Sequence, residues 1–239
     1  EKLQMRFTNF SVIPCATESN FAPEMTRRDL LRQENGLNDR LIFCYVGACE
    51  SYQLPEAMCR LFREVHQHFP AAFFLIFSHH RAAFLQELTA SGISPEDYRV
   101  MSVPHDRIFD LLQMADIGLL LRDKSIVNRV ASPTKFAEYC LCGVPLIATD
   151  GIGDVSDLVR QHQLGLIANI ERLRVDDELQ QFIGDVKTNR AEYAARGVAF
   201  ARQYFSWTIY GGELARIYQT DVPADIASVP VAQHHDAIV

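Results

Sequence analysis

The chain has 239 residues, room for one large domain or two small ones. Hydrophobic residues at 48% and charged residues at 22% belong to a globular protein and exclude intrinsic disorder. Lys+Arg 23 against Asp+Glu 30 leaves a net charge of −7, which argues against nucleic acid as a partner while leaving room for one local basic site.

The apolar runs at 71–77 and 117–121 fall far short of the ~20 residues that a membrane-spanning helix needs. Six cysteines (Cys15, Cys44, Cys49, Cys59, Cys140 and Cys142) form no C-x-x-C pair, and several sit inside apolar runs. They read as reduced core residues of a cytoplasmic protein, with neither a disulfide framework nor a metal site. The chain opens Glu1-Lys2-Leu3, without an initiator Met and with a connector-like stretch, so the expectation is a piece of a longer protein.

Residues 1–39 read as a connector and lead-in helix, with Pro14, Pro23 and a charged helical stretch at 26–33. From residue 40 the pattern is regular. Leu41–Val46 is a continuous apolar run ending at Gly47, as a buried parallel strand requires. A helical stripe follows at 55–68, carried by Ala57, Met58, Leu61, Phe62 and Val65. Strands are expected at 71–77, 99–103, 116–121, 145–148 and 164–167. The helices between them fall at 81–91, 106–114, 133–142 and 154–161, and residues 170–215 read as helical in several segments. This alternation predicts an α/β fold, a Rossmann-like doubly wound parallel sheet spanning 40–220 with its C-terminal helices. Residues 221–239 read as a mobile tail. Ligands of such sheets bind beyond the carboxyl ends of the strands, so the informative loops follow Gly47, Phe77, Val103, Leu121 and Ala148.

The most informative stretch runs from Ser132 to Ile147. Ser132 suits an N-cap, Pro133 the first helical position, and Gly143 the helix end. Lys135 then falls in the first turn, where the helix dipole disfavours a cation by about 0.3–1 kcal/mol. An anion above the helix end would reverse that balance: backbone N–H groups, Thr134 and Lys135 would hold a diphosphate, and Glu138, one turn on, a ribose diol. The residues alone leave a second reading open, a surface Lys135–Glu138 pair.

Gly151-x-Gly153 lacks the third glycine and the placement of a dinucleotide fingerprint and reads as a tight turn. His79 and His80 read as solvent-facing loop residues, and His105 as either a cap or a pocket residue. Phe73, Phe74, Met101 and Tyr139 read as core, and Cys140 and Cys142 as packing. No Ser-His-Asp or Cys-His arrangement and no paired carboxylates stand out, so no catalytic residue is assigned.

The segment Ser132-Pro133-Thr134-Lys135-Phe136-Ala137-Glu138-Tyr139, continuing to Gly143, Pro145 and Ile147, resembles the S-P-x-K-x-x-E-Y-x-x-x-G-x-P-v-I signature of group 1 (family four) glycosyltransferases, in the C-terminal, donor-binding domain of the GT-B fold. Val12-Ile13-Pro14-Cys15 with Phe21, Tyr45-Val46-Gly47, Val103-Pro104-His105 with Ala115-Asp116-Ile117-Gly118-Leu119, and Phe205-Ser206-Trp207 with Ile217-Tyr218 resemble other family segments in the same order.

The resemblance implies a retaining transferase whose donor is a nucleotide-diphospho-sugar, with no other cofactor and no obligatory metal. Glu138 would bind the ribose hydroxyls, and Gly47 would admit the donor to the backbone. Val103, Pro104 and His105 would border the base, and Ser132, Pro133, Thr134 and Lys135 would face the diphosphate and sugar. Three family features are missing: the first glutamate of the Glu-x7-Glu pair falls at Val130, and the basic pair after the first strand falls near Ala48 and Gln53. Arg122, Lys124 and Arg129 are candidates to compensate, and Arg122 is carried into the candidate site.

The acceptor site and any general base are expected from a missing N-terminal GT-B domain, which also carries any membrane association. The resemblance further implies polysaccharide assembly at class level, with the full enzyme cytoplasmic or peripheral at the inner membrane surface. Two alternatives are a degenerate, non-catalytic GT-B domain kept for binding or assembly, and half of a sugar-nucleotide epimerase.

Overall fold

Apolar runs long enough to be buried on both faces become the strands of one sheet, and the stripes between them become its covering helices. The computed structural model describes residues 12–17, 20–169, 171 and 173–218. The strands are β1 (Leu41–Val46), β2 (Ala72–Phe77), β3 (Tyr98–Met101), β4 (Ile117–Leu120), β5 (Leu146–Thr149) and β6 (Gly165–Ala168), all paired in parallel in the order β3-β2-β1-β4-β5-β6. The helices are α1 (Met25–Glu34), α2 (Pro55–His68), α3 (Arg81–Ala90), α4 (His105–Leu112), α5 (Ile126–Arg129), α6 (Thr134–Leu141), α7 (Val155–His162), α8 (Asp177–Thr188), α9 (Arg190–Tyr204) and α10 (Trp207–Ile217).

The expected strands and helices up to residue 168 all form, with ends shifted by one or two residues. In the stretch expected to be helical from residue 170, Glu171 lies in a 3₁₀ turn and the α-helices begin at Asp177. The expected tail at 221–239, with His234 and His235, lies outside the described residues.

Side chains alternate between two cores, one on each face of the sheet. Ile42 and Cys44 of β1 with Phe73, Leu75 and Phe77 of β2 join one, with Leu112, Phe136, Tyr139 and Val159 from α4, α6 and α7. Phe43 and Tyr45 with Phe74 and Ile76 join the other, against Met58, Phe62, Phe84 and Ile183 from α2, α3 and α8. Phe73, Phe74 and Tyr139 are thus core residues, as are Cys140 and Cys142, and all six cysteines are free.

Beneath the sheet, α1 is fastened by charge. Arg27 makes two bonds to Asp110, and Arg28 and Arg32 both reach Asp116, whose Oδ2 also accepts the Ile42 amide at 2.7 Å. The connector is tied to the start of α10: the Thr17 amide donates to the Phe205 carbonyl at 2.7 Å, and the Trp207 amide to the Thr17 carbonyl at 3.3 Å. Among the described residues no helix is long and apolar enough to cross a membrane.

Candidate functional site

In this strand order the chain crosses from the β3 edge to the far side of β1, so β1 and β4 lie side by side with their following loops running in opposite directions. That switch point opens a crevice at the carboxyl edge. β1 and β4 pair only through Phe43–Ile117 and Cys44–Gly118. Just beyond, the Tyr139 hydroxyl inserts between them, accepting from the Val46 amide at 3.2 Å and lying 3.3 Å from the carbonyls of Cys44 and Leu119. Gly118 makes room for this ring: a Cβ there would stand 2.7 Å from Tyr139 Cδ1. The wedge fixes α6 with its first turn at the end of β1, and Lys135, four residues before Tyr139, shares that face.

Lys135 is accordingly no surface residue. Its ammonium lies 4.8 Å from the Tyr45 ring centroid, donates to Tyr45 Oη at 3.2 Å and to Gln53 Oε1, and sits beneath Gly47. Gly47 has φ +143, and a Cβ there would come within 2.5 Å of Lys135 Nζ, so both backbone and space require glycine. Among the described residues no carboxylate lies within ion-pairing distance of Lys135, which removes the surface-pair reading with Glu138. Burial, with Arg122 nearby, lowers the Lys135 pKa to about 7. Burial likewise raises Glu138 above the usual carboxylate range, opposed by His105 and Lys135.

Next to Gly47 is a cavity of about 280 Å³. It is lined by Val46, Gly47 and Ala48 at the end of β1, Phe77 to His80 at the end of β2, Val103, His105 and Ile108 around the start of α4, and Glu138 of α6. Of the candidate residues, Gly47, Val103, His105 and Glu138 meet here, with Lys135 against the Gly47 wall. Pro104 is the exposed N-cap of α4, outside the lining, and the His105 ring stacks at 6.2 Å on Phe109.

His79 and His80 are exposed, as the sequence led us to expect, but they also line this cavity. His79 Nδ1 lies 2.7 Å from Ser102 Oγ, and the Cys49 amide donates to His80 Nδ1 at 3.3 Å, tying the loops after β1 and β2 together. Their place directly after a buried strand, at the carboxyl edge of the sheet, was the available signal.

Ser132 and Pro133 are elsewhere. They line a second, largely apolar cavity of about 210 Å³ with Val12, Pro14, Phe136, Val155 and Phe205. Ser132 does not cap α6: the helix begins at Thr134, Pro133 takes the N-cap position, and no side-chain cap bond forms. Ser132 Oγ instead accepts the Cys15 amide at 3.1 Å and latches the connector. Thr134, the first residue of α6, is exposed.

The basic loop after β4 divides. Lys124 pairs with Glu171 at 3.0 Å, both exposed, and Arg129 lines the second cavity. Arg122 turns toward the crevice: its guanidinium lies 5.7 Å from the Tyr52 ring centroid, and Nη1 donates to Asn128 Oδ1 at 3.0 Å. Fully buried Asn128 braces the loop, donating to Asp123 Oδ1 at 2.6 Å and accepting the Gly153 amide on its carbonyl at 3.0 Å. Gly151-Ile152-Gly153 is the tight turn expected, with Gly153 at φ +43 and no room for a Cβ beside the Ala131 carbonyl. Val130, the position at which the resemblance called for a glutamate, is 77% exposed.

No family model matches the sequence, and no curated protein sequence matches it. Solved structures do. HepE from Anabaena, crystallised with UDP and glucose, is similar at a TM-score of 0.66 and 15% identity, over 86% of this chain and 55% of that one. The C-terminal domain of the group 1 glycosyltransferase LpcC from Francisella tularensis is similar at 0.62 and 12% identity, over 80% of this chain and 98% of that one. TarM from S. aureus, crystallised with UDP among its ligands, is similar at 0.64 and 12% identity, over 91% of this chain and 41% of that one. The chain has the Rossmann-like α/β fold of GT-B glycosyltransferase domains. It spans about half the length of the HepE chain and nearly all of the LpcC C-terminal domain in the regions matched.

Proposed function

We propose that this chain is the donor-binding, C-terminal domain of a retaining glycosyltransferase of group 1 (family four), in its S-P-x-K-x-x-E-Y subset. Its substrate is a nucleotide-diphospho-sugar. The observation that carries the reading is the pairing of an uncompensated ammonium at the Gly47 turn with a half-buried carboxylate at the adjoining cavity: Lys135 and Glu138, one turn apart on α6. The nucleoside occupies the cavity, its ribose hydroxyls donating to Glu138 and its base bordered by Val103 and His105. The diphosphate lies over Gly47 and the first turn of α6. When the bond from the sugar to the phosphate breaks, charge builds on the departing diphosphate; Lys135, Arg122 and the free amides of that turn stabilise it. That HepE and TarM were crystallised with UDP favours uridine as the nucleoside.

In the intact enzyme an N-terminal domain faces the carboxyl edge and supplies the acceptor site. The sugar passes to a glycan acceptor in the cytoplasm or at the inner membrane surface. A second reading, a domain that binds a nucleotide without transferring sugar, is favoured by exposed Val130 and by uncharged Ala48 and Gln53. Calorimetric titration with UDP and GDP tests donor binding. We expect one of them to bind, and Glu138→Ala to weaken it by roughly 1–3 kcal/mol. No heat with either at millimolar concentration overturns the reading.

A further inference from the structure

Gln53 is almost fully buried, polar, and unused by the donor contacts above. A 3₁₀ turn at Ser51–Gln53 delivers it, and the turn is closed by Leu54 at φ 53 and ψ 51, a left-handed conformation that residues with a side chain rarely adopt. The turn is clasped from the facing loop: the Asp123 amide donates to the Tyr52 carbonyl at 3.1 Å, and Arg122 stands over the Tyr52 ring. At the end of this construction Gln53 Oε1 accepts from both Lys135 Nζ and the Tyr45 hydroxyl.

We propose that Gln53 is a positioning residue, holding the Lys135 ammonium at the Gly47 turn without neutralising it; the proposal rests on reading the cleft as a diphosphate site. An ammonium has three donors. Gln53 and Tyr45 take two of them and leave the third for a ligand at Gly47. Both acceptors are neutral, so the positive charge is aimed but not cancelled. A carboxylate at position 53 would hold the ammonium more strongly and cancel its charge. A lysine there would repel it, and an aliphatic residue would leave it unheld. The other charged or titratable groups facing Lys135 are Arg122, Tyr45 and Glu138, the last on its own helix.

The test combines UDP calorimetry at pH 6 and pH 8 with NMR titration of the Lys135 side chain, its signal assigned from its loss in Lys135→Met. Wild type, Gln53→Glu and Gln53→Leu are compared, and thermal unfolding confirms that each is folded. With Gln53→Glu we expect the Lys135 midpoint to rise by more than one pH unit and UDP affinity to fall at least tenfold. With Gln53→Leu the midpoint falls, and UDP affinity falls more at pH 8 than at pH 6. Unmoved midpoints, or wild-type affinity in both variants, overturn the role given to Gln53 alone. A wild-type chain that takes neither UDP nor GDP removes the donor reading, and the positioning role with it; where GDP is the one that binds, the same comparison is read with GDP.

Discussion

The Tyr139 hydroxyl takes the Val46 amide, at 3.2 Å, at the point where β1 and β4 stop pairing. One phenol oxygen stands in for the missing ladder bonds there, and the helix it anchors carries Lys135 and Glu138 to the candidate site. Tyr139→Phe keeps the ring in the Gly118 seat and removes only the oxygen. The Val46 N–H and a strand carbonyl are then buried without a partner, a loss of about 1–3 kcal/mol. Urea denaturation measures it directly. A variant as stable as wild type means the hydroxyl only fills space.

Much of this fold was legible because its strands are buried on both faces and therefore read as unbroken apolar runs, as at Leu41–Val46. The switch-point edge followed from the alternation, and Gly47, Val103, His105, Lys135 and Glu138 do converge on it. Other features were not readable because they depend on long-range geometry. Ser132 had the chemistry of a cap, yet its hydroxyl serves Cys15, 117 residues away. Gln53 was visible only as an absent basic residue, since the left-handed turn that delivers it is made by a leucine with no glycine to mark it. Tyr139 was read as core, and correctly, but only the register of β1 and β4 gives its hydroxyl a task.

Gly47→Ala places a methyl group where φ is +143 and where Lys135 Nζ would lie 2.5 Å away. Backbone strain alone costs of order 1–3 kcal/mol, and the displaced ammonium loses its aim. We expect a lower unfolding midpoint together with UDP affinity reduced at least fivefold at pH 7. Unchanged affinity in a folded Gly47→Ala chain would mean that this turn does not touch the ligand.

Ser132→Ala separates a helix cap from a latch. A true N-cap loss costs about 0.5–2 kcal/mol and frays the helix. Here the helix begins without a side-chain cap, so the expected change is within about 0.5 kcal/mol, as for surface changes generally. Hydrogen exchange should quicken at the Cys15 amide and stay unchanged in the first turn of α6. Faster exchange at Lys135 and Phe136 would restore the capping role.

Lys135 also sets a pH dependence of stability whose sign is fixed. The folded chain holds this proton with a pKa near 7, whereas an unfolded lysine holds it to about 10.4. Between those values the unfolded chain binds more protons, so this lysine's burden on the folded state lightens as pH rises through that window. Below pH 7 the ammonium is charged in both states and the full desolvation cost remains. Lys135→Met removes the cost, so its unfolding midpoint should exceed wild type most at pH 6, with the margin shrinking steadily toward pH 10. Groups that titrate equally in both proteins cancel in the difference. UDP binding should run the other way in wild type, weakening above pH 7 as the ammonium is lost, because a diphosphate is held by the charged form. A Met-minus-wild-type difference that is flat from pH 6 to pH 10 would mean that Lys135 keeps its proton throughout and that its ammonium stays hydrated in the folded chain.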